Sequence, residues 1–306
     1  MAAPRILVVG SANMDLVLEV ERVPSPGENL IGTHYSYIPG GKGANQAVAA
    51  ARAGARVALA GRVGSDAHGG TLLDGLKREG IDTQFVGRDE GPSGLAVILV
   101  DAAGQNRILV YPGANMTLRP EHLDRAFGEK WDAVMLQLEV PDDTVAGAVA
   151  KARARGIPVV LDAGPARAFD LGLVQGLDIL SPNQSETTAL TGLPCDTVAH
   201  AEAAARALAD RSRARIVVIK MGALGAFAFT EGRGVHVPAF PIKAVDPTAA
   251  GDAFTAAMAV AWLKDRDVAA AVRVGNAAGA LAASRLGAQP SLPSAGEIEG
   301  FLGAAR

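Results

Sequence analysis

Residues 246–254 read Asp-Pro-Thr-Ala-Ala-Gly-Asp-Ala-Phe, and here the residue types could do chemistry. Small residues carry the backbone from Thr248 through Ala249 and Ala250 to Gly251. A carboxylate follows at Asp252, and the apolar run Ala253–Leu263 then begins a helix. Such a turn gathers unpaired N–H groups at one spot, where the positive end of the helix dipole favours an anion. A carboxylate beside an anion is repelled by it, so its presence makes sense if it must take a proton from a group attacking a phosphoryl centre. An N-cap Asp after a tight turn gives the same pattern, and the segment alone leaves both readings open.

A second cluster has the character of a polyol site. Gly40-Gly41-Lys42-Gly43-Ala44-Asn45-Gln46-Ala47 joins glycines, which let backbone approach a ligand, to a helix start carrying the donors Lys42 and Asn45. Its spacing matches neither the P-loop nor the dinucleotide fingerprint, which disfavours a P-loop ATPase and a dehydrogenase. Asn13 and Asp15 follow the first strand, and an ionised carboxylate beside an amide suits neighbouring hydroxyls. Turn residues bonding their own backbone would look alike. Glu139 ends another apolar run, where a solvated strand end is the plain alternative.

The elements that must position these groups follow from hydrophobic patterning. Solid apolar runs at Ile6–Val9, Val57–Ala60, Ala133–Leu138, Val159–Asp162, Ile179–Leu180 and Ile216–Ile219 read as buried strands. Helical segments lie between them at Asn45–Ala53, Gly70–Glu79, Asp143–Arg155, Ala199–Arg211 and Ala253–Leu263. The alternation predicts an α/β fold, Rossmann-like, with a largely parallel sheet and helices on both faces. Two stretches interrupt it, about 14–38 and 94–111, the latter a hairpin turning at Ala102-Ala103-Gly104-Gln105. They are expected to form a small antiparallel β lid on a single catalytic domain spanning 1–306. Tyr35, Tyr37 and Tyr111 all fall in this lid, and both its faces carry apolar residues. A sheet with two apolar faces needs two covers, the active-site mouth and the lid of a second subunit, so a homodimer is expected.

Composition narrows the classes. A net charge of −3 over 306 residues argues against non-specific binding to nucleic acid or to an anionic membrane. No apolar run reaches membrane-spanning length. A lone cysteine, Cys195, suits a reducing cytosol, and five scattered histidines form no zinc-site pattern.

Taken together, these segments resemble the ribokinase-like carbohydrate kinase, or PfkB, family along nearly the whole chain. The resemblance rests on Gly10–Asp15, Pro24–Glu28, Gly40–Ala47, Pro112–Asn115, Gln137–Glu139, Pro182–Glu186, Asp246–Asp252 and Gly287–Ser291. It implies ATP-dependent phosphorylation of a sugar, D-ribose at O5. Asn13, Asp15, Gly41, Lys42, Gly43, Asn45 and Glu139 would hold the sugar. Asp252 would be the base, and the backbone of Ala249, Ala250 and Gly251 the anion hole. Asn183 and Glu186, in an Asn-x-x-Glu element, imply Mg²⁺ and phosphate contacts, held through waters as Mg²⁺ prefers. Lys220, Gly222 and Gly225 match the nucleotide loop, and Asn276 a residue near the adenine. A K⁺ site is implied at Asp246, Thr248, Ala282, Arg285, Gly287 and Ser291.

Two residues depart from the family pattern. Lys220 stands where Thr is usual, and it either approaches a phosphate or sits at a strand end. Pro247 replaces a Thr and so removes one N–H. Other acceptors within the family, such as fructose, deoxyribose or pseudouridine, remain open alternatives. A non-catalytic sugar sensor is disfavoured, because it has no use for a proton acceptor at 252.

Overall fold

The apolar run near the start of the chain becomes β1 (Arg5–Val9), at the centre of the architecture. Its side chains divide between two cores, Ile6 and Val8 entering one and Leu7 and Val9 the other, as the two-residue period of a strand demands. The computed structural model describes residues 2–305.

In chain order, β1 is followed by β2 (Asn13–Glu19), β3 (His34–Gly40), α1 (Lys42–Arg52), β4 (Arg56–Gly64), α2 (Ala67–Arg78) and β5 (Asp82–Asp89). Next come β6 (Gly94–Val100), β7 (Asn106–Tyr111), a short α3 (Asp124–Phe127), β8 (Ala133–Leu136), α4 (Asp142–Arg153), β9 (Val159–Leu161) and β10 (Ile179–Leu180). The remainder is α5 (Gln184–Thr191), α6 (Val198–Ser212), β11 (Ile216–Lys220), β12 (Ala226–Thr230), β13 (Arg233–Val237), α7 (Ala250–Asp265), α8 (Val268–Ala283) and α9 (Ala295–Ala304).

The large sheet runs β13-β12-β11-β10-β9-β8-β1-β4-β5. It is parallel from β11 to β5, and β12 and β13 extend one edge antiparallel. Apolar residues of α1, α2, α7, α8 and α9 join the core on one face. Those of α4 and α6 join the core on the other. The expected α/β sheet with helices on both faces is what the chain forms. The apolar runs do not anticipate β5, β12, β13, α8 or α9. The five residues of β13 are mostly exposed, so they carry no buried-strand signature.

The smaller sheet, in the order β3-β2-β6-β7, is built from the two stretches that interrupt the alternation. Its β2–β3 and β6–β7 pairs are antiparallel, and the two pairs meet through a parallel β2–β6 contact. Parallel pairing follows from the long excursion through α1, β4, α2 and β5 that separates β2 from β6. All six residues of β7 are exposed, including Leu109 at 71% and Ile108 at 52%. Among the described residues, no helix is long and apolar enough to cross a membrane.

Candidate active site

Helix α7 begins at Ala250, earlier than its apolar run suggests, so Asp252 lies inside the first turn. The residue at the cap is Ala249, which offers no side-chain cap, and this removes the reading of Asp252 as an ordinary N-cap. Ala249 adopts the left-handed conformation at φ 60, which a residue with a Cβ rarely takes. The N–H of Ala250 closes a turn onto the Pro247 carbonyl at 3.1 Å. That corrects the expectation of a free donor at Ala250. Among the described residues, the N–H groups of Gly251 and Asp252 find no acceptor, as the opening turn of a helix requires.

Asp252 is buried and held by α1. Asn45 Nδ2 donates to its Oδ2 and Gln46 Nε2 to its Oδ1, each at 3.0 Å. Lys42 Nζ stands 3.9 Å from Asp252 and 3.9 Å from Glu186. Burial is the main force pushing the Asp252 carboxyl above the usual range; Lys42 opposes it and Asp162 adds to it. Burial alone would lower the Lys42 ammonium, but Asp162, Asp252, Glu186 and Glu139 together hold it well above its ordinary value.

Two glycines let α1 begin at this spot. Gly41 sits at φ 86, and a Cβ on Gly43 would come within 2.5 Å of the Ser11 backbone nitrogen. The carboxylate of Glu139 then takes the Lys42 N–H at 2.9 Å and the Ser11 hydroxyl at 2.5 Å. Asn13 and Asp15 come from the inner end of β2, beside Gly40 of β3. Asn13 Oδ1 accepts from Asn115 Nδ2 at 2.7 Å, which leaves its own amide hydrogens free to donate. Burial above all, then the charges of Glu139 and Asp252, push Asp15 up to about 7. The carbonyl oxygen of Asn45 is buried without any partner. A buried polar atom of that kind normally marks a missing ligand or water.

On the other side of Asp252 lies a cavity of about 490 Å³ lined by Lys42, Asn183, Glu186, Lys220, Gly251 and Asp252. A neighbouring one of about 520 Å³ is lined by Gly222, Gly225, Phe240, Asn276 and apolar residues. The two share Lys220, Gly222 and Gly251 on their walls. Asn276 Nδ2 donates to the carbonyls of Val237 and Pro238 at 3.0 and 3.1 Å, which holds its side chain at that wall. Asn183 caps α5, and Glu186 reaches back to its N–H at 2.7 Å. A larger groove of about 1360 Å³, at the opposite ends of the strands, shares none of these residues.

The sequence matches the profile of the pfkB family carbohydrate kinases over residues 3–295. The chain belongs to the pfkB family of carbohydrate kinases. It is therefore an ATP-dependent sugar kinase. A deoxyribokinase of Salmonella typhimurium is 39% identical over 303 residues, spanning 97% of this chain and 98% of that protein. The ribokinase of Bacillus subtilis is 37% identical over 300 residues, spanning 97% and 99%. The structure of Arabidopsis thaliana ribokinase complexed with ribose and ATP matches with a TM-score of 0.88 at 34% identity, covering 98% of this chain and 99% of that one.

The donors of this pfkB kinase fit the two implied cations differently. Among the described residues no cluster of three or more acidic, histidine or cysteine side chains is placed to grip a metal directly. Asn183 and Glu186 suit a hydrated Mg²⁺ carried in with a nucleotide. At the implied K⁺ site, Asp246 accepts the N–H groups of Thr248 and Gly287, each at 2.9 Å. The Ala283 carbonyl takes the N–H groups of Val245 and Asp246 at 2.8 and 3.1 Å, and so pins this loop to the end of α8. Ala282 accepts from Arg285 at 3.0 Å, and the buried Ser291 hydroxyl bonds Ala288 at 2.8 Å. One carboxylate among neutral oxygens suits a large, weakly hydrated cation.

Sequence reasoning missed several polar residues of the site. Ser11, Gln46, Asn115, Gln137, Asp162 and Thr255 are all buried in its walls. Asp162 ends a buried strand just as Glu139 does, so the same signal was available for it. Gln46 lies inside the glycine-rich run already singled out. Lys220 was expected at a phosphate or a strand end. It ends β11, with its ammonium turned inward to Asp162 at 2.8 Å.

Proposed function

We propose that the protein phosphorylates D-ribose at O5 with ATP, giving ribose 5-phosphate, with Asp252 as the base. The observation that carries this reading is the unpartnered side-chain carbonyl of Asn45, whose amide holds Asp252, a buried acceptor that wants a sugar hydroxyl. Asp252 collects the O5 proton as the O–P bond forms, a contribution of about 10²–10⁴-fold. The N–H groups of Gly251 and Asp252, with the backbone of Ala249, neutralise charge on the phosphoryl oxygens. Asn13, Asp15, Lys42, Asn45 and Glu139 orient the sugar, so that its hydroxyl stands in line.

The nucleotide lies along Gly222, Gly225 and Asn276, with its phosphates toward Asn183, Glu186 and Gly251. Mg²⁺, when bound, screens the phosphate charges. Asp246 and the neighbouring carbonyls would hold K⁺, which would supply positive charge beside the turn that leads to the anion hole. The chain works as one catalytic unit in the cytoplasm. Two copies pair through their lids, which covers the exposed Ile108 and Leu109 of β7.

A second reading is 2-deoxyribose, favoured by the 39% identity to a deoxyribokinase. Against it, the two oxygens of Asp15 suit a pair of neighbouring hydroxyls. A deoxysugar leaves one acceptor unpaired in a buried site, at a cost of about 1–3 kcal/mol. Coupled ATP-turnover assays on ribose, 2-deoxyribose, fructose, pseudouridine and adenosine decide the matter. Ribose should lead in kcat/KM by about tenfold or more over 2-deoxyribose. Equal or inverted preference overturns the ribose assignment.

A further inference from the structure

Lys220, at the end of β11, is a buried lysine with a carboxylate partner. The Lys220 ammonium, with its residue only 8% exposed, lies 2.8 Å from Asp162 Oδ2 and 3.3 Å from Thr255 Oγ1. Asp162 follows β9 and is fully buried. Its Oδ2 also accepts from Thr255 at 3.1 Å and from Gln46 Nε2 at 3.0 Å, and its Oδ1 from the Gly164 N–H at 3.1 Å. That same Gln46 nitrogen donates to Asp252 Oδ1 at 3.0 Å, while Gln46 Oε1 is taken by Gln137 Nε2 at 2.6 Å.

The Gln46 amide thus stands between two buried carboxylates and serves both as donor. The arrangement is favoured while both are ionised, since each carboxylate then offers acceptors and no donor. A protonated Asp162 would offer a hydroxyl, and the amide could then turn its oxygen toward Asp252. An amide oxygen facing Asp252 favours the protonated acid, which cannot act as a base.

We propose that Lys220 is a positioning residue for the base: by holding Asp162 as an acceptor it fixes the Gln46 amide with its N–H toward Asp252. The inference rests on the reading of Asp252 as the base. Lys42 adds positive charge at longer range, but its own ion pairs are with Glu186 and Asp252 at 3.9 Å and it makes no hydrogen bond to Asp162. The other charged groups facing the pair are Asp15 from β2, Glu139 after β8 and Glu186 from α5, all negative. Lys220 is therefore the cation in hydrogen-bond contact with Asp162, at 2.8 Å.

The test is a set of kcat–pH profiles on the intact enzyme with ribose and ATP. Because protonating either carboxylate misplaces the amide, the acid limb reports the first proton the pair takes up. Lys220→Met removes a positive charge and should move that limb to higher pH. Asp162→Asn leaves Lys220 unopposed and should move it to lower pH. Each shift should be roughly one unit, with KM for ribose and ATP changed by less than about threefold. The neutral pair Asp162→Asn/Lys220→Thr should return the limb toward wild type and recover at least about tenfold of the kcat lost in Lys220→Met.

A merely structural role gives no opposed shifts. Limbs moving together, a double variant no better than the single, or a raised ATP KM with unchanged kcat would overturn the proposal. If Lys220→Met does not fold, the downward shift in Asp162→Asn and the near-native limb of the double variant carry the decision alone. Asp252→Asn, assayed in parallel, separates the two readings. Wild-type kcat there sinks the base itself, whereas loss there without rescue in the double variant sinks only the role of Lys220.

Discussion

The Asn45 side chain donates to Asp252 Oδ2 at 3.0 Å across 207 residues of sequence, while its own carbonyl oxygen is buried with no partner. One amide therefore steadies the proposed base and leaves a buried acceptor open. Asn45→Ala removes both functions. kcat/KM for the sugar should fall by about 10²-fold, since one or two buried hydrogen bonds at roughly 1–3 kcal/mol are lost. Steady-state kinetics with ATP saturating measures this, and a change confined to the ATP KM would contradict it.

Asp252→Asn keeps the size of the side chain, removes the proton acceptor and turns one of its two hydrogen-bond acceptors into a donor. kcat should drop by about 10²–10⁴-fold. Sugar affinity, measured by calorimetry with a non-hydrolysable nucleotide present, should stay within a few-fold of wild type. Loss of affinity in step with kcat would make Asp252 structural.

Asp15 links binding to pH. Its carboxyl is raised from 3.8 to about 7, so the ligand-free protein holds an extra proton between those values. Where the native state binds more protons than the unfolded chain, stability falls as pH rises. The Asp15 contribution is thus fully present below pH 3.8 and lost by about 7. Asp15→Asn should flatten that slope and raise the apo melting temperature above about pH 8. Sugar hydroxyls donate to the ionised form, so wild-type sugar KM should fall as pH rises through about 7, a trend absent in Asp15→Asn. A parallel trend in both proteins assigns it to another group.

The exposed β7 strand supplies a test of assembly. Leu109 is 71% exposed, so Leu109→Lys should change monomer stability by less than about 0.5 kcal/mol. Sedimentation at micromolar concentration should nevertheless shift from dimer to monomer. A wild-type protein that sediments as a monomer removes the basis for the lid interface.

Potassium should raise kcat relative to a bulky organic cation at equal ionic strength. Asp246 bonds the Thr248 and Gly287 N–H groups at 2.9 Å, so Asp246→Ala should lower kcat and abolish the potassium response together. A full response surviving in that variant would move the site elsewhere.

Much of the candidate site was legible because it is local. The turn from Thr248 to Asp252, the glycine-rich approach to Asn45 and the apolar strands each carry their signal within a few residues. Residues whose purpose depends on distant partners were harder to read. Asp162 and Lys220 are 58 positions apart and meet only because β9, β10 and β11 pair in parallel. Read singly, a lysine at a strand end has no reason to turn inward. Likewise β13 lacks buried side chains, and hydrophobic pattern could not separate it from a loop.

The sequence by itself determined the family, the α/β alternation and the strands of the smaller sheet, and it singled out Asp252 as the candidate base, since each depends on residue type and short spacing. Tertiary structure alone decided that Asp252 lies within a helical turn and not at its cap, and that Ala250 lends its N–H to Pro247. It also decided that Gln46 serves two carboxylates at once. Those outcomes depend on which groups burial brings together, and a buried charge or amide must find its partner wherever the packed chain happens to place one.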